Sequence, residues 1–331
     1  MRARTGMLGG MVFAISLSLG CSPEQEPTHS QDGSSLESEP DPVVRELSIK
    51  TDDVTLYARS VGGPGSLIVG LHGGPGLSSH YLEPMPYMPG RFVAGPKRAF
   101  VTYDQRGGGR SSKPKSNDYS FARHVEDLEA LRVFLEADKL HLLGHSYGAV
   151  ISMAYAIAHP ERVGSLVLLA GAPPTSEELS AGRARVDARV AELQRAGEIQ
   201  DPLPSPDIEN DNMNEMVAAS VAAYFSDPVF TPPTEFGAMN YPLSVLEASL
   251  AAQMPYDLTS QLGALELPVL ILWGEDDPFG VEWARSTEAA FPSADVRLVV
   301  LPQCGHFFHE CWDQVRAELE PFLDAVAGHR D

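Results

Sequence analysis

Six short runs set the terms for this chain: SLIVGL (66–71), RAFVTYD (98–104), LHLLG (140–144), VGSLVLLAG (163–171), LPVLILWG (267–274) and VRLVVLP (296–302). None alternates apolar with polar residues as a half-solvated strand would. Each therefore asks to be buried on both faces, as strands are in a parallel sheet covered by helices. Parallel neighbours need crossovers, and helical patterns lie between the runs. SFARHVEDLEALRVFLEA (120–137) places Val125, Leu128, Leu131 and Leu135 on one face, with Ser120 as the N-cap. AVISMAYAIAHP (149–160) is an apolar helix closed by Pro160, and EWARSTEAAF and CWDQVRAELEPFLDAV follow later runs. Ahead of them all, VVRELSIK and VTLYARSV alternate on either side of TDD and predict a hairpin. Strand and helix in alternation over this length predict a doubly wound α/β sheet.

Between Pro173 and Gly263 the strand pattern stops. SEELSAGRARVDARVAELQRA and MNEMVAASVAAYF read as helices joined by proline-rich turns, and Thr175 with Glu178 matches a capping box. This block, residues 173–263, is expected to be a helical cap inserted between a first core segment, 43–172, and a second, 264–331.

The start of the chain is different. Arg2 and Arg4 precede MLGGMVFAISLSLG, a run too short for a stable span and typical of a signal sequence. It ends at Cys21, where small residues before a lone cysteine resemble a bacterial lipoprotein cleavage box, with Ser18 in place of the usual Leu. Residues 1–21 are thus expected to be a signal peptide of the lipoprotein kind, Cys21 its lipidated residue and the mature protein exported to the periplasm or cell envelope. Any hold on a membrane would come only through that anchor. Residues 22–42 carry six acids and no Lys or Arg, and read as a disordered acidic tether. Of the net charge of −21, the signal contributes +2, the tether −6 and the rest −17. A body this acidic repels nucleic acid and anionic membrane surfaces, so neither is an expected partner.

The chemistry gathers at the ends of the apolar runs. Gly144-His145-Ser146-Tyr147-Gly148 is G-x-S-x-G between an apolar strand and an apolar helix, the setting of a nucleophile elbow. A serine hydroxyl needs a base, and the base a carboxylate to orient it. Downstream, GEDDP offers Asp276 and Asp277, and CGH offers His306, each just past a strand. The order Ser, Asp, His suits this geometry. Asp277, directly before Pro278, is preferred to Asp276 as the acid, and His309 is read as a pocket-wall or surface residue. A rival reading of CGHFFHEC (304–311) as a metal cluster of Cys304, His306, His309 and Cys311 fits no familiar zinc spacing. If Cys21 is lipidated, Cys304 and Cys311 remain as an even pair, bridged as a disulfide or left as two buried thiols.

HGGPG (72–76) follows SLIVGL, and DQRGGGRSS (104–112) follows RAFVTY. Neither is a phosphate loop, because no Lys follows HGGPG and Pro75 breaks a dinucleotide fingerprint. The first instead stands where an oxyanion hole takes its second backbone donor, Gly74, to act with Tyr147.

HGGPG, DQRGGGRS, GHSYGA, GEDDP and CGH in this order resemble the proline iminopeptidase branch of the α/β-hydrolases, over roughly 50–172 and 264–325. The resemblance implies an α/β-hydrolase fold with an inserted helical cap. It further implies a serine aminopeptidase that removes proline or another small apolar residue from short peptides, without cofactor or metal. In such enzymes Ser146 would be nucleophile, His306 base, Asp277 its orienter, and Gly74 and Tyr147 the oxyanion hole. Asp104 and Arg106 would brace loops. Cap acids would hold the substrate's amino group; Glu235 and Glu247 stand for that role on charge alone. The alternatives are a carboxylesterase or lactone hydrolase on the same scaffold, and a lipid-anchored binding protein that has lost catalysis.

Overall fold

The computed structural model describes residues 43–63, 65–83, 98–230 and 241–328. The expected signal peptide, Cys21, the tether and Glu235 lie outside them.

The predicted hairpin forms. β1 (Val44–Lys50) and β2 (Thr55–Gly62) pair antiparallel, Lys50 opposite Thr55, around the turn at TDD. β3 (Ser66–Leu71), β4 (Arg98–Tyr103), β5 (Leu140–His145), β6 (Val163–Leu169), β7 (Pro268–Gly274) and β8 (Asp295–Leu301) follow. The sheet runs β1-β2-β4-β3-β5-β6-β7-β8. From β4 to β8 every pair is parallel, and β2, antiparallel to both β1 and β4, is the one strand of this sheet that runs against the others. β3, β5, β6 and β7 are central, and nearly all of their side chains are buried.

α2 (Tyr147–Ala158) covers the middle of the sheet, on β5, β6 and β3, and α1 (Phe121–Phe134) packs beside it. Val125, Leu128 and Leu131 face inward on α1 as their spacing requires, and α2 is buried almost throughout. Between β6 and β7 lie α3 (Leu179–Ala196), α4 (Asn214–Ser220), α5 (Leu243–Gln253) and α6 (Thr259–Leu262), the inserted cap. α7 (Glu282–Ala289) crosses from β7 to β8, and α8 (Trp312–Gly328) packs after β8. Among the described residues no helix is long and apolar enough to cross a membrane.

Three local expectations fail, each for a physical reason. VRLVVLP is a strand, but not a buried one: β8 closes the sheet with a single neighbour, and Val300 stays 41% exposed. Ser120 occupies the N-cap position without a side-chain cap bond. Its carbonyl accepts from Arg123 and His124, while Asp118 accepts its N–H at 2.9 Å. Thr175 and Glu178 do not form a reciprocal capping box either. A short 3-10 turn precedes α3, and the Glu178 carboxylate is drawn to Ser286 of α7 at 2.5 Å.

Candidate active site

Ser146 stands between β5 and α2 with φ 54° and ψ −121°, a backbone state that a residue with a side chain adopts only when its surroundings impose it. The imposition is visible. Ser146 N–H donates to the Leu169 carbonyl at 3.0 Å, and its own carbonyl accepts from Ala149 and Ala172, also at 3.0 Å. The flanking glycines are a matter of space. A Cβ at Gly144 would lie 2.6 Å from Ala149 Cα, the Gly148 carbonyl and Ser152 Oγ; one at Gly148 would lie 2.2 Å from the Leu71 carbonyl. The helix thus starts pressed against β5 and β3, and Ser146 remains partly exposed above them. Tyr147 is the first residue of α2, so its N–H has no acceptor within the helix and suits an anion.

His306 lies in the loop after β8, and its Nδ1 is 2.8 Å from Asp277 Oδ2 in the loop after β7. Both side chains are buried, and Asp277 Oδ1 accepts the Phe279 N–H at 2.9 Å. Asp276 is exposed and takes the Ser226 hydroxyl at 2.6 Å instead. The carboxylate oxygen accepts and Nδ1 donates, which leaves Nε2 as the other ring nitrogen for a neighbouring hydroxyl. The His306 ring rests 4.9 Å from those of Phe279 and His145, the latter directly preceding Ser146. The structure therefore brings Ser146, Asp277 and His306 to the same end of the sheet. His309 turns away and meets the Tyr81 carbonyl at 3.1 Å.

The HGGPG loop closes on the serine from the other side. A Cβ at Gly73 would lie 2.9 Å from Ser146 Cβ. Gly73 N–H is committed to the Tyr81 hydroxyl at 2.6 Å. Gly74 comes next, at φ +126° and partly exposed where Gly73 and Pro75 are buried.

DQRG proves to be scaffolding. Gln105 and His72 exchange two bonds: Gln105 N–H to His72 Nε2 at 3.0 Å, and Gln105 Nε2 to the His72 carbonyl at 2.7 Å. Asp104 accepts from Ser79 N–H and from Arg110 N–H, both at 2.7 Å, fixing the two glycine loops to each other. Buried Arg106 holds Asp127 through two 2.8 Å bonds and Asp53 at 3.0 Å. A buried guanidinium is tolerated only when surrounded in this way.

Three further residues shape the site without any signal in the sequence. The carbonyl of Tyr224, in the cap, accepts the His306 N–H at 2.7 Å. Glu310 accepts the Gly305 N–H at 2.6 Å, the Ser226 N–H at 2.8 Å and the Asp227 N–H at 3.1 Å. Cap residues 224–227 are in this way bolted to the loop of His306, and Cys304 and Cys311, joined as a disulfide, bracket that loop. Glu247 has no share in it. The face of α5 that packs inward carries Val245, Ser249 and Gln253, and Glu247 is exposed on the opposite one. Gln253 meets the Tyr147 hydroxyl at 2.9 Å.

The profile of the alpha/beta hydrolase fold family matches residues 66–310. A proline iminopeptidase of Lactobacillus delbrueckii subsp. lactis is 30% identical over 256 residues, 71% of this chain and 82% of that one. Among solved structures, a proline iminopeptidase of Mycobacterium smegmatis superposes with a TM-score of 0.65 at 20% identity, over 87% of this chain and 100% of that one. An esterase of Exiguobacterium antarcticum gives 0.62 at 19% identity, over 84% and 98%. With the elbow, the glycine loops and the inserted helices already in place, this chain belongs to the α/β-hydrolase fold family and is a proline iminopeptidase-like member of it.

Proposed function

We propose that this hydrolase is a serine aminopeptidase that removes an N-terminal proline, or another small apolar residue, from short peptides. The observation that carries the proposal is the buried Asp277–His306 pair at 2.8 Å beside the strained elbow at Ser146. In this reading His306 Nε2 takes the Ser146 proton as Oγ attacks the carbonyl carbon. The N–H groups of Gly74 and Tyr147 receive the oxyanion, a contribution of about 3–4 kcal/mol per donor. Collapse of the tetrahedral intermediate gives the proton to the leaving amine and leaves an acyl-enzyme. Water, deprotonated by the same histidine, then releases the amino acid. Asp277 holds the imidazole in the tautomer that both steps need.

The test is a panel of anilides and esters with the protein lacking residues 1–42. Free prolyl or alanyl anilide should turn over and its N-acetylated form should not. Equal turnover of both, or of esters alone, would move the chain to the carboxylesterase or lactone hydrolase reading, which the esterase likeness keeps in view. A fluorophosphonate should label the wild type and spare Ser146→Ala; a wild type without label would favour a binding protein. Glu235 remains our proposal for the substrate's amino group, and Glu235→Gln should then raise KM for the free anilide more than it lowers kcat. We also propose export and an anchor at Cys21. Labelled palmitate should enter the full chain and not Cys21→Ala.

A further inference from the structure

Tyr81 and His145 are almost wholly buried, at 1% and 2% exposure, and neither belongs to the triad or the oxyanion hole. They nevertheless lie between the two. Gly73 N–H meets the Tyr81 hydroxyl at 2.6 Å, that hydroxyl meets His145 Nδ1 at 2.7 Å, and His145 Nε2 meets the His306 carbonyl at 3.0 Å.

The chemistry of the ends fixes every proton along this path. A backbone N–H can only donate, so the Tyr81 oxygen accepts from Gly73. A carbonyl can only accept, so His145 carries its proton on Nε2. Burial, and after it the neighbouring His306, holds the His145 ring far below the ordinary histidine range, so it is neutral and Nδ1 is a bare acceptor. The Tyr81 O–H must therefore point at Nδ1. Burial likewise keeps that phenol protonated. One direction of donation runs from the HGGPG loop, under Ser146, to the backbone of the base.

The two ends matter. Gly73 precedes Gly74, the oxyanion donor, and the His306 peptide unit is held from both sides, its N–H by Tyr224 and its carbonyl by His145. Rings pack around the path: Tyr81 lies edge-on to His145 at 5.3 Å and to Phe307 at 5.5 Å. Water has no easy entry to substitute for a lost bond, and such networks act as units.

We infer that Tyr81 and His145 are positioning residues that set the distance between the oxyanion amide and the catalytic base, joining the two halves of the reacting site through one ordered chain of hydrogen bonds. The inference rests on the serine hydrolase reading above. The transition state needs both halves at once, and small displacements there cost rate rather than affinity. Tyr81→Phe removes the hydroxyl from the middle of the path. His145→Asn places its amide at the Nδ1 position and loses the donor to His306, whereas the longer amide of His145→Gln reaches the Nε2 position and keeps a donor there.

The experiment measures kcat and KM for free prolyl anilide, with active sites counted by fluorophosphonate titration of Ser146, together with Tm. Tyr81→Phe and His145→Asn should each lower kcat per titrated serine about tenfold with KM within about twofold. The double variant should be no worse than the poorer single one, since both break one path. His145→Gln, the milder change, should retain more of kcat than His145→Asn. Additive losses in the double variant, or unchanged kcat per titrated serine with only a lower Tm, would reduce the pair to packing and overturn the inference. A wild type that no fluorophosphonate labels would overturn the hydrolase reading beneath it, a different result.

Discussion

The proposed nucleophile and the proposed base of this site are held by different means. Ser146 is held by shape: two strands and a helix approach so closely that Gly144 and Gly148 have no room for a Cβ, and the serine takes the strained backbone state that remains. His306 is held by hydrogen bonds, from Asp277 on its ring and from Tyr224 and His145 on its peptide unit. Glu310 secures the neighbouring Gly305 and also takes the Ser226 N–H, and both Tyr224 and Ser226 belong to the segment inserted between β6 and β7. Close packing tolerates little change in volume, whereas a hydrogen-bonded seat can be loosened one contact at a time. One side of the site should fail by losing the fold and the other by losing rate.

That contrast can be broken most severely at the reacting atoms. Ser146→Ala should lower kcat by about 10⁶-fold while circular dichroism stays native, because the strained backbone is imposed from outside the side chain. Asp277→Asn should cost about 10⁴-fold in kcat, through the wrong imidazole tautomer, with Ser146 still present and the fold intact. Gly144→Ala tests the packed side. Its Cβ would meet backbone atoms of α2, and thermal unfolding should show a loss of about 3 kcal/mol or an insoluble product. Glu310→Ala tests the bonded side and should lower kcat per titrated serine about tenfold, with a smaller drop in Tm than Gly144→Ala. If these last two variants exchanged their signatures, the comparison would be wrong. Smallest of all, Asp276→Asn should leave kcat within about twofold, since that side chain is exposed and bonds only Ser226 among its described partners.

The same division explains what could be read from the sequence. Close packing demands particular residue types, so G-x-S-x-G and HGGPG announced the elbow and its facing loop, and unbroken apolar runs announced the central strands. Asp277 is preferred over Asp276 by its position before Pro278, and it is Asp277 that lies buried against His306 while Asp276 is exposed. The other bonds that seat His306 left no such trace. Tyr224 acts through its carbonyl, Gly305 and Ser226 through their amides, and any residue has those groups. Glu310 and His309 stood together in CGHFFHEC, yet only the fold distinguishes the one that clamps the loop from the one that faces Tyr81. Glu247 was chosen on charge, and helical phase turned it outward. The run at 296–302 was apolar enough for a central strand, but exposure depends on how many neighbours a strand finds, which is decided by topology.

The 2.7 Å bond from His306 N–H to the Tyr224 carbonyl also bears on how a substrate gets in. Ser146 is partly exposed, and a substrate that needs more room than that would have to displace part of the inserted segment. Residues 224–227 cannot be that part without unseating the base. The insertion is in effect a doorway whose jamb is fixed to the loop of His306, and any leaf would have to hang elsewhere. Amide exchange should find the jamb slow and the leaf fast, and a substrate that wedges the jamb should bind without being cut.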